Sequence, residues 1–454
     1  MGNKTIIITG AGFSAPANIP IQNKILDEMI KQEDNILDIS QSNIELDSEK
    51  FLDAFVRVGL YLLTNYCVIS DELIANKFNN ISNADLADRY IYAQKSSDRA
   101  VFYQSLLNKI DFSQNDDKTM VKKFLLNLEP SLDGYFDEYF TEMLYLKGEI
   151  KRRLSSCQIK VSLEDVFTAF DKAISLKSHT KHFTYHEEDD VKHAILRLFI
   201  YYFGKIIKNH NYDSPKYLPF VDFVKNHYGS CSILTTNWDT LIEGYFSMNN
   251  ILYELCLNNV YYKYDDDEKN PPKDKNPQTI KLVKLHGSIN WFRCLQCGDM
   301  SIIEKNPCGE YLFSTESKEQ CLSCGNESRN NALLLQPEII TPTMVKSFDG
   351  QLYKNLWASA ADELRNAKKI IFVGYSLPTA DFELKYFLQN NIPPTSEIDV
   401  VLYHNDDPAQ LSENQRHLEY LLPQKRYNDV FVKNTINYYY EGFEVYFKNS
   451  KVLY

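Results

Sequence analysis

The sequence predicts an α/β fold built on an open parallel sheet, with a large helical insertion and a small metal-binding module. Three observations carry that expectation. Residues 5–20, TIIITGAGFSAPANIP, read as a strand that breaks at Gly10-Ala11-Gly12 and resumes as helix. Further Val-, Ile- and Leu-rich runs recur far downstream, each ending on residues able to do chemistry. Two Cys-x-x-Cys-Gly units lie close together between residues 294 and 325.

In chain order, Ile6, Ile7 and Ile8 form the continuous β-branched run of a strand buried on both faces. Gly10 and Gly12 permit a tight turn and a close approach of backbone to an anion. Ala15 fills the third small position of a G-x-G-x-x-G/A fingerprint, where a helix start can receive a pyrophosphate. No acidic residue ends a second strand about twenty residues on, as a ribose contact in a dehydrogenase would require; Asn18-Ile19-Pro20 follows instead. Residues 30–229 read as helical: Leu163, Val166, Phe167, Phe170 and Ile174 keep helix spacing. Ser162 and Asp165 resemble a capping box, and residues 191–207 are another apolar helical stretch. The other strands are expected at 232–236, 280–285, 368–373 and 398–403. In open α/β sheets ligands collect at the carboxyl ends of strands, so these ends should line a nucleotide pocket. Residues 264–279 are a charged, proline-bearing surface loop by composition. From 407 onward Phe443, Val445 and Phe447 alternate in a strand-like way, suiting a sheet edge or an interface.

Domains are therefore expected at 1–29 with 230–406 (the discontinuous nucleotide-binding unit, its metal module at about 290–330), 30–229 (the helical insertion) and 407–454 (a C-terminal extension). The 454 residues exceed one ordinary domain, and a hydrophobic fraction of 44% with 13% aromatics is globular. A net charge of −12 offers no basic surface for a phosphate backbone, so no direct nucleic-acid binding is expected. No apolar run is long enough to cross a membrane and no signal-peptide pattern opens the chain. Nine cysteines, five of them between Cys294 and Cys324, point to a reducing compartment, and a cytoplasmic location is expected.

The chemistry gathers at strand ends. Asn237-Trp238-Asp239 closes one strand, and His286-Gly287-Ser288 the next. Alone these would be turn or capping residues; their order behind the glycine loop makes them site candidates. Cys294-x-x-Cys297 and Cys321-x-x-Cys324 supply four thiolates for a tetrahedral Zn²⁺, and four protein ligands would make that metal structural. Cys308 between them is expected to be a spectator. Gly374-Tyr375-Ser376-Leu377 ends the fourth strand and Asn405 the last.

This order of motifs (GAGFS with N-I-P, T-N-W-D, L-H-G-S, paired C-x-x-C, V-G-Y-S-L, a strand ending in Asn) resembles the sirtuin family over residues 1–25 and 230–406. The resemblance implies a Rossmann-type domain with a zinc module and NAD⁺ as substrate. By it, Gly10, Ala11, Gly12 and Ser14 would cradle the phosphates. Asn237 would position the attacking group, Asp239 would hold the nicotinamide amide and His286 would be the general base. Gly374, Ser376 and Asn405 would contact the adenosine half. Departures are clear: Ile21-Gln22-Asn23 stands where deacylases have Phe-Arg, Thr236-Asn237 where they have Gln-Asn, and residues 336–342 lack an F-G-E segment. With the long insertion, these look like bacterial sirtuin-like NAD⁺ hydrolases of antiviral defence. Such proteins act alone or beside a motor ATPase or sensor, and a homo-oligomer is expected, the insertion building a lid or an interface. An NAD⁺-dependent protein-lysine deacylase and a catalytically idle nucleotide-binding subunit remain open.

Overall fold

In the computed structural model the described residues are 4–20, 25–31, 48–67, 81–83, 85–86, 89–90, 132–156, 161–178, 184–257, 260–263, 279–303, 312, 321, 323–324, 335–341, 343, 351–378, 381–403, 412 and 417–450. The strands are β1 Lys4–Thr9, β2 Cys231–Thr235, β3 Tyr253–Glu254, β4 Val260–Lys263, β5 Ile280–Lys284, β6 Gly287–Cys294, β7 Met300–Ile303, β8 Leu335–Ile339, β9 Ala367–Val373, β10 Glu397–Val401 and β11 Thr435–Tyr439. Seven of them form one sheet in the order β11-β10-β9-β1-β2-β5-β3. Every pairing in it is parallel. Leaving aside the two-residue edge strand β3, that is the doubly wound order of a Rossmann-like sheet. The chain leaves β1 toward β2 and returns on β1's other flank as β9, so a topological switch point lies between β1 and β9.

The central strands are buried on both faces, and Ile6, Ile7, Ile8, Ile233, Leu234, Leu282 and Val283 have no exposed surface. That is why they read as unbroken apolar runs rather than alternating ones. A second sheet, β4-β7-β6-β8, pairs β6 antiparallel to both β7 and β8. The Arg293 guanidinium on β6 holds the Glu338 carboxylate on β8 through two bonds of 2.7 and 3.0 Å.

The chain divides into two compact units: Met1–Glu28 with Ser162–Ala169 and Phe199–Tyr454, and Met29–Val161 with Phe170–Leu198. The first holds both sheets. In the second, among the described residues, helices Ser48–Tyr66 and Leu132–Ser156 pack closely enough that Gly59 leaves no room for a Cβ beside Ile150. Its buried Arg153 donates to Asn83 Oδ1 (2.8 Å) and to the Ile81 carbonyl (2.7 Å). Helices Leu163–Leu176 and Tyr185–Lys208 contribute residues to both units. The Ser162 capping box is present: Asp165 N donates to Ser162 Oγ, and Ser162 N donates to Asp165 Oδ2. The loop at 264–278 lies outside the described residues.

Residues 443–450 form a helix, not the strand that their alternation suggests. Phe443 and Phe447 are four apart and share one helical face, while Val445 between them is half-exposed. Phe447 packs on Phe220 (5.5 Å) and Phe223 (5.0 Å) of helix Leu218–Asn226, and Phe443 on Phe13 (4.9 Å). The extension supplies the sheet edge as well, β11 pairing in register with β10. Phe447→Ala should therefore cost about 3–5 kcal/mol in chemical denaturation, the usual loss for a fully buried phenylalanine. A cost under about 1 kcal/mol, within the range of a surface substitution, would remove the extension from the core.

Candidate functional site

The site is built on a contact between two backbones. Gly12 N donates to the Gly374 carbonyl (2.8 Å) and Gly10 N to the Val373 carbonyl (3.0 Å), joining the loop after β1 to the end of β9. A Cβ on Gly12 would lie 2.8 Å from Gly374 Cα, and one on Gly10 2.6 Å from the Tyr375 ring. Gly374 itself has φ +60° and would drive a Cβ into Phe13 N. The glycines are thus required by the protein's own packing as well as by any ligand. The helix that follows is a single turn, Ala11–Ser14, continued as a 3₁₀ turn to Ala17. A long helix with a pyrophosphate-binding start does not form there: Pro16 and the left-handed Asn18 (φ 62°) close it.

From β2 comes the turn Asn237-Trp238-Asp239. Asn237 Nδ2 donates to the Gly10 carbonyl (3.0 Å) and to Ser14 Oγ (2.9 Å), while Ser14 Oγ donates to Asp239 Oδ2 (2.8 Å). The Gly10 carbonyl can only accept, which fixes which end of the amide is the NH₂. Both amide hydrogens are engaged by the protein, so Asn237 offers a ligand its Oδ1, as an acceptor. Asp239 Oδ1 accepts from Leu241 N (3.1 Å), turning the chain into helix Leu241–Met248. Trp238 Nε1 donates to the Ile340 carbonyl (3.2 Å), and Ile340 N donates to the His286 carbonyl (2.9 Å). His286 is buried and precedes Gly287, whose φ of +79° and contact with the Glu338 carbonyl exclude a side chain.

On the other flank, buried Tyr375 donates to Asp381 Oδ2 (2.7 Å) and accepts from Tyr427 at its carbonyl (2.6 Å). Burial, with the Asp381 charge, holds the Tyr375 phenol well above its ordinary range, so it stays a donor. Tyr217 donates to the Phe13 carbonyl (2.9 Å) beneath the glycine loop.

Among the expected site residues, Ala11, Gly12, Ser14, Asn237, Asp239, His286, Gly374 and Ser376 line one cavity of about 1050 Å³. It lies at the carboxyl ends of the strands on both sides of the switch point. Gly10 meets the site through its carbonyl, behind the wall. Asn405 lies outside the described residues. Residues without an expected role also line it, among them Trp238, Asp381 and, from the extension, Glu441, Phe443 and Glu444. Trp238 lies inside the T-N-W-D motif; no motif marks Asp381 or the three from the extension, because lone acids and aromatics have no distinguishing spacing.

The four cysteines of the paired motifs come together. Cys294 and Cys324 sulfurs are 3.9 Å apart, Cys297 and Cys321 sulfurs 3.6 Å, and all four lie within 4.8 Å of one another. Zn–S bonds of about 2.3 Å in a tetrahedron place sulfurs about 3.8 Å apart, so the cluster fits that ion. Disulfides, at about 2.05 Å, are not what it contains. Gly298, at φ +78°, closes the first knuckle; Gly325 and Cys308 lie outside the described residues. Four thiolates would fill the metal's coordination and confine it to a structural role.

Residues 231–419 match the family model of the SIR2-like domain. No curated protein matches the chain. Among solved structures, a Sir2 homologue mutant in complex with ADP-ribose is 16% identical, with 59% of this chain and 79% of that one aligned and a TM-score of 0.32. A Sir2 homologue–NAD complex is 16% identical over 58% and 73% of the two chains, TM-score 0.31. A third, Sir2Tm bound to a propionylated peptide, is 13% identical over 58% and 81%, TM-score 0.30. Overlap of that size carries no weight by itself, and the strand order stands on its own.

Two outcomes are expected. Freshly purified protein should hold about one zinc per chain, and Cys294→Ser should lower both zinc content and melting temperature; metal analysis showing no stoichiometric zinc contradicts the site. Gly374→Ala should cost more than about 2 kcal/mol in chemical denaturation, because a left-handed φ and a backbone clash are imposed together.

Proposed function

We propose that the chain is a sirtuin-like NAD⁺ hydrolase that splits the bond between nicotinamide and ribose, and that it serves bacterial antiphage defence by depleting NAD⁺. One observation carries the reading. A single cavity at the switch point of a Rossmann-like sheet gathers a glycine-loop wall, the Asn237 turn and His286. The SIR2-like match over residues 231–419 supports it. In the proposed reaction the N–C bond to the ribose breaks and its electron pair returns to the pyridine ring, so nicotinamide leaves neutral. The ribose carbon gains oxocarbenium character, which a polar enclosed pocket stabilises. A water, held by a hydrogen bond to Asn237 Oδ1, adds to that carbon and gives up its proton to His286. Asp239 would hold the nicotinamide amide, and Gly12, Ser14, Gly374, Ser376 and Asn405 the rest of the dinucleotide. The lack of F-G-E at residues 336–342 favours water over an acyl-lysine as acceptor.

Free depletion of NAD⁺ would harm the host, so low basal turnover is proposed, relieved when copies of the chain assemble or a sensor or motor ATPase joins them. A helical region at 30–229 is the proposed assembly element.

Asn237→Ala and His286→Ala should each lower NAD⁺ cleavage by about 10²–10⁴ while leaving the fold intact. The assay follows nicotinamide and ADP-ribose with and without an acetyl-lysine peptide. Near-wild-type turnover in either variant defeats the assignment of that residue. Cleavage only with the peptide replaces the hydrolase with a deacylase, and wild-type protein that binds but never cleaves NAD⁺ replaces it with a nucleotide-binding subunit.

A further inference from the structure

A lysine with no exposed surface ends β5. The Lys284 ammonium donates to the Asp239 carbonyl (2.5 Å) and to Glu243 Oε1 (2.6 Å). Val283 before it on the strand and Leu285 just past the strand's end are fully buried and apolar. A methionine would occupy a similar volume without bringing an ammonium out of water, and buried ion pairs are often less stabilising than such a replacement. A role in positioning the groups it bonds is the alternative that the geometry offers.

What Lys284 grips is the end of the site turn. The turn begins at Asn237, whose N–H is held by Thr235 Oγ1 (3.0 Å) and whose Nδ2 is held by Gly10 and Ser14. It ends at Asp239, whose carboxylate receives Ser14 and Leu241 N and whose carbonyl receives Lys284. Glu243 is in the first turn of helix Leu241–Met248, so the ammonium joins that helix, the turn and β5 at one point. The Trp238 carbonyl in the same turn accepts from Ile289 N (2.9 Å) and Ser288 Oγ (3.2 Å), so Lys284 is the contact that fixes the Asp239 end, next to the Ser14–Asp239 bond.

We propose that Lys284 and Glu243 are a positioning pair: they lock the Asn237–Asp239 turn so that Asn237 presents its Oδ1, and not its NH₂, to the cavity. The kinetic half of this inference rests on the hydrolase reading; the structural half does not. Burial pushes the Glu243 carboxyl up and the Lys284 charge draws it back down, so the two are best removed together.

The test uses the full chain carrying Lys284→Met with Glu243→Leu, and separately Glu243→Gln, which keeps an acceptor for the ammonium. The paired variant should melt within about 5 °C of wild type and retain its zinc. Its NAD⁺ affinity by calorimetry should change by less than about threefold while kcat falls about 100-fold, the effect of a misplaced positioning group. Glu243→Gln should recover most of that kcat. Turnover in the paired variant within about threefold of wild type overturns the proposal, as does a loss confined to KM. If wild type cleaves no NAD⁺, the hydrolase reading fails, and a crystal structure of the paired variant decides the positioning role. An Asn237 Nδ2 still bonded to Gly10 and Ser14 overturns it, and a turned amide upholds it.

Discussion

Two stretches of main chain touch where no side chain fits, and the site follows from that contact. Gly10 and Gly12 lie against Gly374, and their N–H groups donate to the Val373 and Gly374 carbonyls (3.0 and 2.8 Å), joining the ends of β1 and β9. A single methyl at Gly12 or Gly374 would part them. Because the strands are joined at their tips, the crevice above the switch point has a floor of backbone, and polar groups from neighbouring strands can face it at short range. The Gly10 carbonyl is part of that floor, and it orients Asn237. A packing constraint thus becomes a chemical one, an amide compelled to show its oxygen.

The second sheet is tied to the same crevice by main-chain bonds. Ile340 at the end of β8 exchanges contacts with both Trp238 and His286, so the turn after β2 and the turn after β5 are indexed to one strand. The Arg293–Glu338 pair fixes β8 to β6, and β6 runs directly into the first cysteine knuckle. The thiolate cluster and the site are thus successive stations on one strand. A metal held by those thiolates would stiffen the Cys294 end of the strand that starts at Gly287, without taking part in the chemistry.

Much of this is legible in the sequence, for identifiable reasons. The five long parallel strands have side chains buried on both faces, so each appears as an apolar run, and the structure moves their ends by a residue or two. Cysteine pairs announce themselves by spacing. Less visible are β3, with two residues, and β6 to β8, whose pattern is broken by Arg293, Gln336 and Pro337. The extension misleads because Phe443, Val445 and Phe447 satisfy period two while Phe443 and Phe447 also satisfy i, i+4; only the partner surface on helix Leu218–Asn226 decides. That Asn237, His286 and the glycines meet at one cavity could be anticipated, but the direction of the Asn237 amide and the grip of Lys284 could not. Both depend on residues distant in the chain that arrive beside them: Gly10 and Ser14, over 220 positions from Asn237, and Asp239 and Glu243, over 40 from Lys284.

That separation also governs how the molecule comes into being. Thr5 on β1 pairs with Cys231 on one side and with Lys369 on the other. During synthesis at about 5–20 residues per second, β1 leaves the ribosome roughly 10–45 s before its first partner. For that interval three isoleucines with no exposed surface in the finished protein have no strand to lie against. The helices made in between need no such distant partner for their own backbone bonds and can form first. This central strand, made well before both of its neighbours, is among the last to be sheltered, so any ribosome-associated chaperone that delays aggregation should act on residues 4–9.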